Sequence, residues 1–256
     1  METHSQELHK APGHGWKHYL FEFFMLFLAV SLGFYAENLR EEIKNNDEIK
    51  TNMHTILADL KSDVTRLDSV FERNEFSCTM ADSLIILLHQ DKSNTREIYY
   101  CARAVTSNIG YYYSNSKTFD QMKNSGLLKL IKPRALLDSL AAYYVSFQWL
   151  ASQTELVRLK VDAIHKENEE LFDSYVFHQM MKIKDLGDIY GTHLVINRPE
   201  GNPALISTDF NKINAVSLNY HYYFSTVSFY NRTAVIQIQF AKRLIEFINR
   251  EYSFGE

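Results

Sequence analysis

The sequence predicts an all-α protein: one N-terminal transmembrane helix followed by an antiparallel bundle of long helices. Three observations carry this. Residues 19–36, YLFEFFMLFLAVSLGFYA, contain a single charge, Glu22. No Gly or Pro falls between Phe34 and Ile109 or between Asn211 and Phe254. The 256 residues hold only 9 Gly and 4 Pro, too few for the many turns of a sandwich or barrel. An apolar fraction of 46% with 17 Phe and 16 Tyr excludes a disordered chain. A formal charge of −4 lacks the cationic excess of a phosphate-binding surface, so nucleic acid is not an expected partner.

The apolar run comes first. As a helix rising about 1.5 Å per residue, eighteen residues span roughly 27 Å, close to the thickness of a bilayer's hydrocarbon core. Trp16, Tyr19 and Tyr35 stand where interfacial aromatic belts form. A signal-peptide apolar region is shorter, about 7 to 15 residues, and the small residues Ser31 and Gly33 lie inside this run instead of after it. The expected partition is a cytoplasmic tail over 1–18, a transmembrane helix over 19–38 and an extracytoplasmic helical domain over 39–256. Lys10 and Lys17 before the run nearly balance Arg40, Lys44 and Lys50 after it, so the short tail decides an N-inside orientation. The implied address is a bacterial inner membrane with the bulk of the chain in the periplasm and the lipid bilayer as first partner. Glu22, one turn inside the membrane, is read as a carboxylate reaching to the interface, with a functional intramembrane acid as the alternative. Ala29 and Gly33 form a small-xxx-small pair that would let two such helices approach closely, in a homo-oligomer or against an envelope protein partner.

The soluble part follows in order. Met53, Leu57, Leu60, Val64, Leu67 and Phe71 recur at steps of three and four, and the stripe continues through Cys78, Ala81, Leu84 and Leu88. After the polar turn HQDKSN, a second helix over 95–107 returns antiparallel to the first. A short helix over 117–124 is closed by Gly126 as a left-handed cap. A long helix starts at Pro133 and carries apolar residues as far as Tyr175. Residues 187–207 are expected to form a small hairpin or ordered loop, and a last helix runs over 209–252, overriding the strand-like alternation of AVIQIQF.

Cys78 and Cys101 are equidistant from a point near 89.5, so a disulfide across the first helical hairpin is one expectation and two buried free thiols the other. His4, His9, His14 and His18 crowd the leading segment, and Asp162, His165 and Glu169 share one face of the third long helix. The first group reads as a solvated tail and the second as a polar boundary face. No second Glu-x-x-His completes a di-iron pattern, and no nucleophile elbow, P-loop, zinc-protease or dinucleotide motif occurs. No catalytic, metal or cofactor site is therefore expected. The Tyr clusters at 99–100, 111–113, 143–144 and 220–223 are read either as lining an interface or groove, or as an aromatic core whose hydroxyls reach solvent.

Two segments, EFFMLFLAVSLGFYAENLREE and TFDQMKNSGLLKLIKPRALLDSL, resemble a family of uncharacterised Bacteroidota proteins with one N-terminal membrane helix and a helical domain of unknown function. Glu22, Asn38 and Glu41 match its membrane-helix pattern, while Leu39 stands where that family often has Trp. Thr118, Phe119, Lys123, Ser125 and Gly126 match a second element. The resemblance implies an inner-membrane bacterial protein and no activity. The overall expectation is a non-enzymatic membrane-anchored interaction or scaffold protein. A ligand-binding sensor and, behind it, a metal-dependent membrane enzyme using Asp162, His165 and Glu169 are the alternatives.

Overall fold

A computed structural model describes residues 15–113, 115–182 and 195–254. Six α-helices dominate it: α1 (Trp16–Gln90), α2 (Thr95–Ser107), α3 (Lys117–Ser125), α4 (Arg134–Asn168), α5 (Ser174–Gln179) and α6 (Phe210–Tyr252). A turn of 3-10 helix, Leu127–Leu130, follows α3. The described strands are β1 (Met181–Lys182) and β2 (Val195–Ile196), which pair antiparallel with Met181 opposite Ile196. Among the described residues the protein is thus all-α apart from this two-residue ladder. Pairing starts at Met181, earlier than the expected 187–207 segment, of which residues 187–194 lie outside the described residues.

The chain divides into two units, one ending at Thr51 and the other spanning Asn52–Glu256. In the first, every side chain from Trp16 to Lys44 is exposed, including those of the apolar run. This stretch is long and apolar enough to cross a membrane, and none of it is buried.

In the second unit, α1 buries Met53, Ile56, Leu60, Asp63, Leu67, Val70, Asn74, Ser77, Ala81, Leu84 and Leu88. The steps alternate between three and four, the spacing of a helix seam with a 3.5-residue period. The stripe expected from hydropathy is turned slightly: Val64 and Phe71 are only half-buried, while Asp63, Asn74 and Ser77 occupy core positions.

Contacts between long helices run in opposing chain directions. Along α4 and α6, Tyr143 meets Phe240 (ring centroids 5.6 Å apart), the Gln237 amide meets the Ser146 hydroxyl (2.5 Å), and Asn168 meets Tyr220 (3.0 Å). Along α1 and α6, Asn231 meets Glu75 (2.9 Å) and Ser228 meets Cys78 (3.8 Å), and just past the end of α6 Phe254 meets His54 (5.6 Å).

Local chemistry sets the ends of the helices. Asn94 caps α2 by accepting from the Glu97 N–H (3.4 Å), and Asp209 caps α6 by accepting from those of Asn211 (2.9 Å) and Lys212 (3.1 Å). Gly126 closes α3 in the left-handed region (φ 77°), its N–H donating to the Lys123 carbonyl (3.2 Å). The helix expected to run from Pro133 to Tyr175 stops at Asn168. There Leu171 and Phe172 turn into the core, and Asp173 starts α5 by accepting from the Tyr175 N–H (2.8 Å). The buried Asn168 side chain donates to the Tyr220 hydroxyl (3.0 Å), which itself donates to the Ala102 carbonyl (3.3 Å).

Residues 196–209 pack on α2: the Tyr99 hydroxyl donates to the Ala204 carbonyl and accepts from the Asp173 N–H, both at 3.0 Å. Arg198 lies over the Tyr100 ring (4.0 Å) and pairs with Glu97 (2.5 Å).

Tyr220→Phe keeps the ring and removes the hydroxyl shared by Asn168 and Ala102. We expect it to lower unfolding stability by about 1–3 kcal/mol, the cost of orphaning buried polar groups, read by denaturant titration of the purified protein in detergent.

Candidate functional site

The polar residues on the α1 seam share one task. Residues 108–116 form no helix or strand among the described positions, yet Gly110 and Tyr112 are buried against α1. Buried backbone of this kind needs partners for its N–H and C=O groups; α6 supplies the Tyr230 hydroxyl to the Tyr112 N–H (3.3 Å), and α1 supplies others. The Ser77 hydroxyl donates to the Asn108 carbonyl (3.2 Å). The Asn74 amide accepts from the Gly110 N–H (3.0 Å) and donates to its carbonyl (3.4 Å). About three turns further back, Asp63 accepts from the Tyr112 hydroxyl. Asp59 then accepts from Asn115 (2.9 Å) and Thr118 (2.8 Å). Descending numbers on α1 thus meet ascending numbers on the segment. Gly110 permits the closest approach, since a Cβ there would stand 3.0 Å from the Val70 carbonyl oxygen and 3.2 Å from its Cα.

Asp63 is the chemically distinctive member. It is 1% exposed and accepts from two tyrosines, Tyr112 and, at 2.9 Å, Tyr143. Burial pushes its carboxyl above the usual value; the two hydroxyls pull it back part of the way, and the charge of Asp59 adds to the rise. Both tyrosine hydroxyls are in turn pushed well above their ordinary range, first by burial and then by Asp63. The neighbouring Tyr144 hydroxyl is buried without a hydrogen-bond partner and is also driven up, by burial and then by Asp63 and Asp59. Chemically, the cluster fixes the path of residues 108–113 and 115–118 and holds one carboxyl whose charge the fold disfavours.

The second family-like element stands at the outer end of this cluster. Thr118 bonds Asp59, and Phe119 stacks on Tyr144 with centroids 4.3 Å apart. The Ser125 hydroxyl donates to the Met122 carbonyl (3.2 Å) and Gly126 caps the helix onto Lys123. An open groove of about 450 Å³ lies beside them, with Phe119, Asp120, Lys123, Tyr144 and Gln148 among its walls.

The other expected site residues lie elsewhere. Cys78 and Cys101 are free, buried thiols, so the disulfide expectation is corrected. The turn between α1 and α2 centres nearer 92.5 than 89.5, because α1 reaches Gln90 and α2 starts at Thr95. Ser77 therefore stands opposite Asn108, and Cys78 faces Ser228 on α6 while Cys101 borders a groove near Ser83 and Leu87. Burial pushes each thiol up to about 11.

In the first unit, Glu22 pairs with His18 (3.3 Å), and a Cβ at Gly33 would meet nothing within 4 Å. Ala29 is likewise exposed. His4, His9 and His14 lie outside the described residues. Asp162, His165 and Glu169 are exposed, and no three His, Cys, Asp or Glu side chains converge as metal ligands among the described residues.

Tyr99, Tyr112, Tyr143, Tyr144, Tyr220, Tyr223 and Tyr230 are core residues. The bonded hydroxyls of Tyr99, Tyr112, Tyr143 and Tyr220 meet internal partners instead of reaching solvent.

Asp59, Asp63, Asn74 and Ser77 were not singled out by hydropathy. A signal was present: three of them interrupt an otherwise apolar seam at its own period, which marks buried polar positions. Compared with protein-family models, curated proteins and solved structures, the chain matches none.

Two outcomes follow. Gly110→Ala should lower stability by about 1–3 kcal/mol through overpacking against α1 backbone, seen as a lower denaturation midpoint. Because the folded state raises the Asp63 pKa, it binds more protons than the unfolded chain. The Asp63 contribution to stability is then greatest below the ordinary carboxylate pKa, near 3.8, and is lost as pH rises through the raised value. Asp63→Asn should gain stability relative to the parent as pH increases from 4; parallel melting-temperature profiles for the two proteins would contradict this.

Proposed function

We propose that this chain is a non-enzymatic, single-pass protein of a bacterial inner membrane whose helical domain, an antiparallel bundle, acts by binding. It serves as a homo-oligomeric scaffold or as an accessory subunit of an envelope complex. The observation that carries the reading is the form of α1. Eighteen consecutive residues with one charge stand wholly exposed, and the same helix continues unbroken to Gln90. A core helix of a water-soluble protein would bury such a stretch, and water penalises leaving it uncovered, so hydrocarbon is its natural solvent. An N-inside orientation, with the larger unit in the periplasm, belongs to the same proposal. The resemblance to Bacteroidota membrane proteins supports the same address. Each carboxyl oxygen of Asp63 accepts from a hydroxyl of the chain's own, which suits a positioning role better than turnover.

A second reading, a sensor that signals through a partner, is favoured by the groove beside Phe119 and Tyr144, where a stacked aromatic wall meets Lys123 and Asp120.

The test is extraction from native membranes in mild detergent, with co-purifying proteins identified by mass spectrometry and the native mass measured. A stoichiometric companion or a defined homo-oligomer is expected; a monomer without companions overturns the interaction reading. Release from the membrane by alkaline carbonate overturns the anchor. If Ala29 and Gly33 mediate contact between membrane helices, Gly33→Leu should weaken self-association at least several-fold, as read by the dilution dependence of the oligomer.

A further inference from the structure

In the second unit, eight exposed large apolar residues line α4 and α6, the others being scattered. On α4 they are Val145, Trp149, Leu156 and Leu159, with Ser152 completing a spacing of 4, 3, 4 and 3. On α6, Leu218, Tyr222, Phe229 and Ile236 are joined by Ser225 and Arg232 at 4, 3, 4, 3 and 4. Each helix therefore bears two stripes at seam spacing, one buried in the core and one on the opposite side. Surface residues of a helix with no further partner have no reason to keep that period.

The two outer stripes flank one seam. Trp149 meets Phe229 edge-on (5.7 Å), Lys160 lies over Tyr222 (5.4 Å), and a groove of about 350 Å³ opens between Ser146, Trp149, Phe229, Arg232 and Ile236.

We propose that this α4·α6 face docks a second copy of the same chain, making a four-helix interface across a twofold axis parallel to the two helices. The inference deepens the interaction-protein reading and rests on it. Three features select a second copy as the occupant. First, the face is self-complementary, because it carries both half-exposed aromatic knobs and a groove of side-chain size, as an isologous contact requires. Second, the twofold lays each α4 against the partner subunit's α6, so all four helices have antiparallel neighbours, the usual arrangement of a four-helix bundle. Third, area and charge agree. Eight large side chains, each about half exposed, present on the order of 800 Å² per protomer, the amount a stable complex of standard size buries on each side. Arg232 stands in the outer stripe of α6 beside the groove and Glu155 is exposed on α4, and Gln237 bonded to Ser146 places the two within about one helical turn of the same level. The twofold therefore brings each Arg232 toward the partner's Glu155 at the rim.

The full-length protein in mild detergent tests this by native mass and by dilution. The parent should be dimeric. Leu156→Glu and Phe229→Glu, both at exposed positions, should each weaken the dimer at least tenfold with helicity and melting temperature retained. Arg232→Glu should weaken it several-fold, and adding Glu155→Arg should restore it, a rescue that a merely structural role for either residue would not produce. Gly33→Leu should leave contact through the α4·α6 face intact, removing only whatever part of self-association the membrane helices make.

A monomeric parent overturns the inference while a stoichiometric companion would leave the interaction reading standing. Leu156→Glu and Phe229→Glu proteins with the parent's dissociation constant overturn it as well, as does a dimer lost only with Gly33→Leu, which assigns association to the membrane helix. Should either glutamate variant fail to fold, the charge exchange decides: no weakening by Arg232→Glu counts against the interface.

Discussion

The structure of the larger unit depends on a row of polar side chains placed where a helix seam would ordinarily be apolar. Ser77, Asn74 and Asp63 give up part of the hydrophobic burial available to α1; in return Ser77 and Asn74 bond the buried backbone of an irregular stretch, while Asp63 and the half-buried Asp59 bond its side chains. Without them, residues 108–118 would have to leave the core or bury orphaned polar groups costing about 1–3 kcal/mol each. The placement of everything downstream follows from that row. Thr118 and Phe119 set the start of α3, Gly126 ends it, and the cis Lys132–Pro133 bond leads into α4. The position of α4 in turn delivers Tyr143 back to Asp63, closing the arrangement on itself.

The aromatic core follows the same logic. A tyrosine in a core supplies as much apolar surface as a phenylalanine but brings a hydroxyl that needs a partner. Here those partners join elements distant in sequence: Tyr220 links α6 to α2 and to the end of α4, and Tyr99 links α2 to the α5 cap and to the segment before α6. Leucines and phenylalanines of similar volume could slide past one another with little penalty. Hydroxyls bound to named acceptors cannot, so the tyrosines fix register between long helices that lack other positional cues.

Much of this was legible in the sequence because it follows from local chemistry. The bounds of α2, the Gly126 cap, the start of α4 and the full length of α6 all follow from capping residues, glycine placement and hydrophobic period. What was not legible is tertiary. Asp63, Asn74 and Ser77 look like breaks in a stripe until the segment they satisfy is seen beside them, and hydropathy accordingly favoured Val64 and Phe71. The break at Asn168 has no proline or glycine to announce it; a buried amide seized by Tyr220 and the Asp173 cap produce it. The facing of Cys78 and Cys101 depended on the centre of one turn, and a shift of three residues there moves an opposed pair apart by nearly two helical turns' worth of register.

The two thiols acquire a use from their burial. With each pushed up to about 11, thiolate is scarce at neutral pH, on the order of one molecule in ten thousand, and only thiolate reacts readily with alkylating or oxidising agents. Cys78 faces α6, so it becomes reactive chiefly when that contact parts, whereas Cys101, at the border of a groove beside α2, reports on the surroundings of that helix. The protein thus carries two native clocks for the opening of different parts of its domain, and their relative labelling rates would rank which contact yields first.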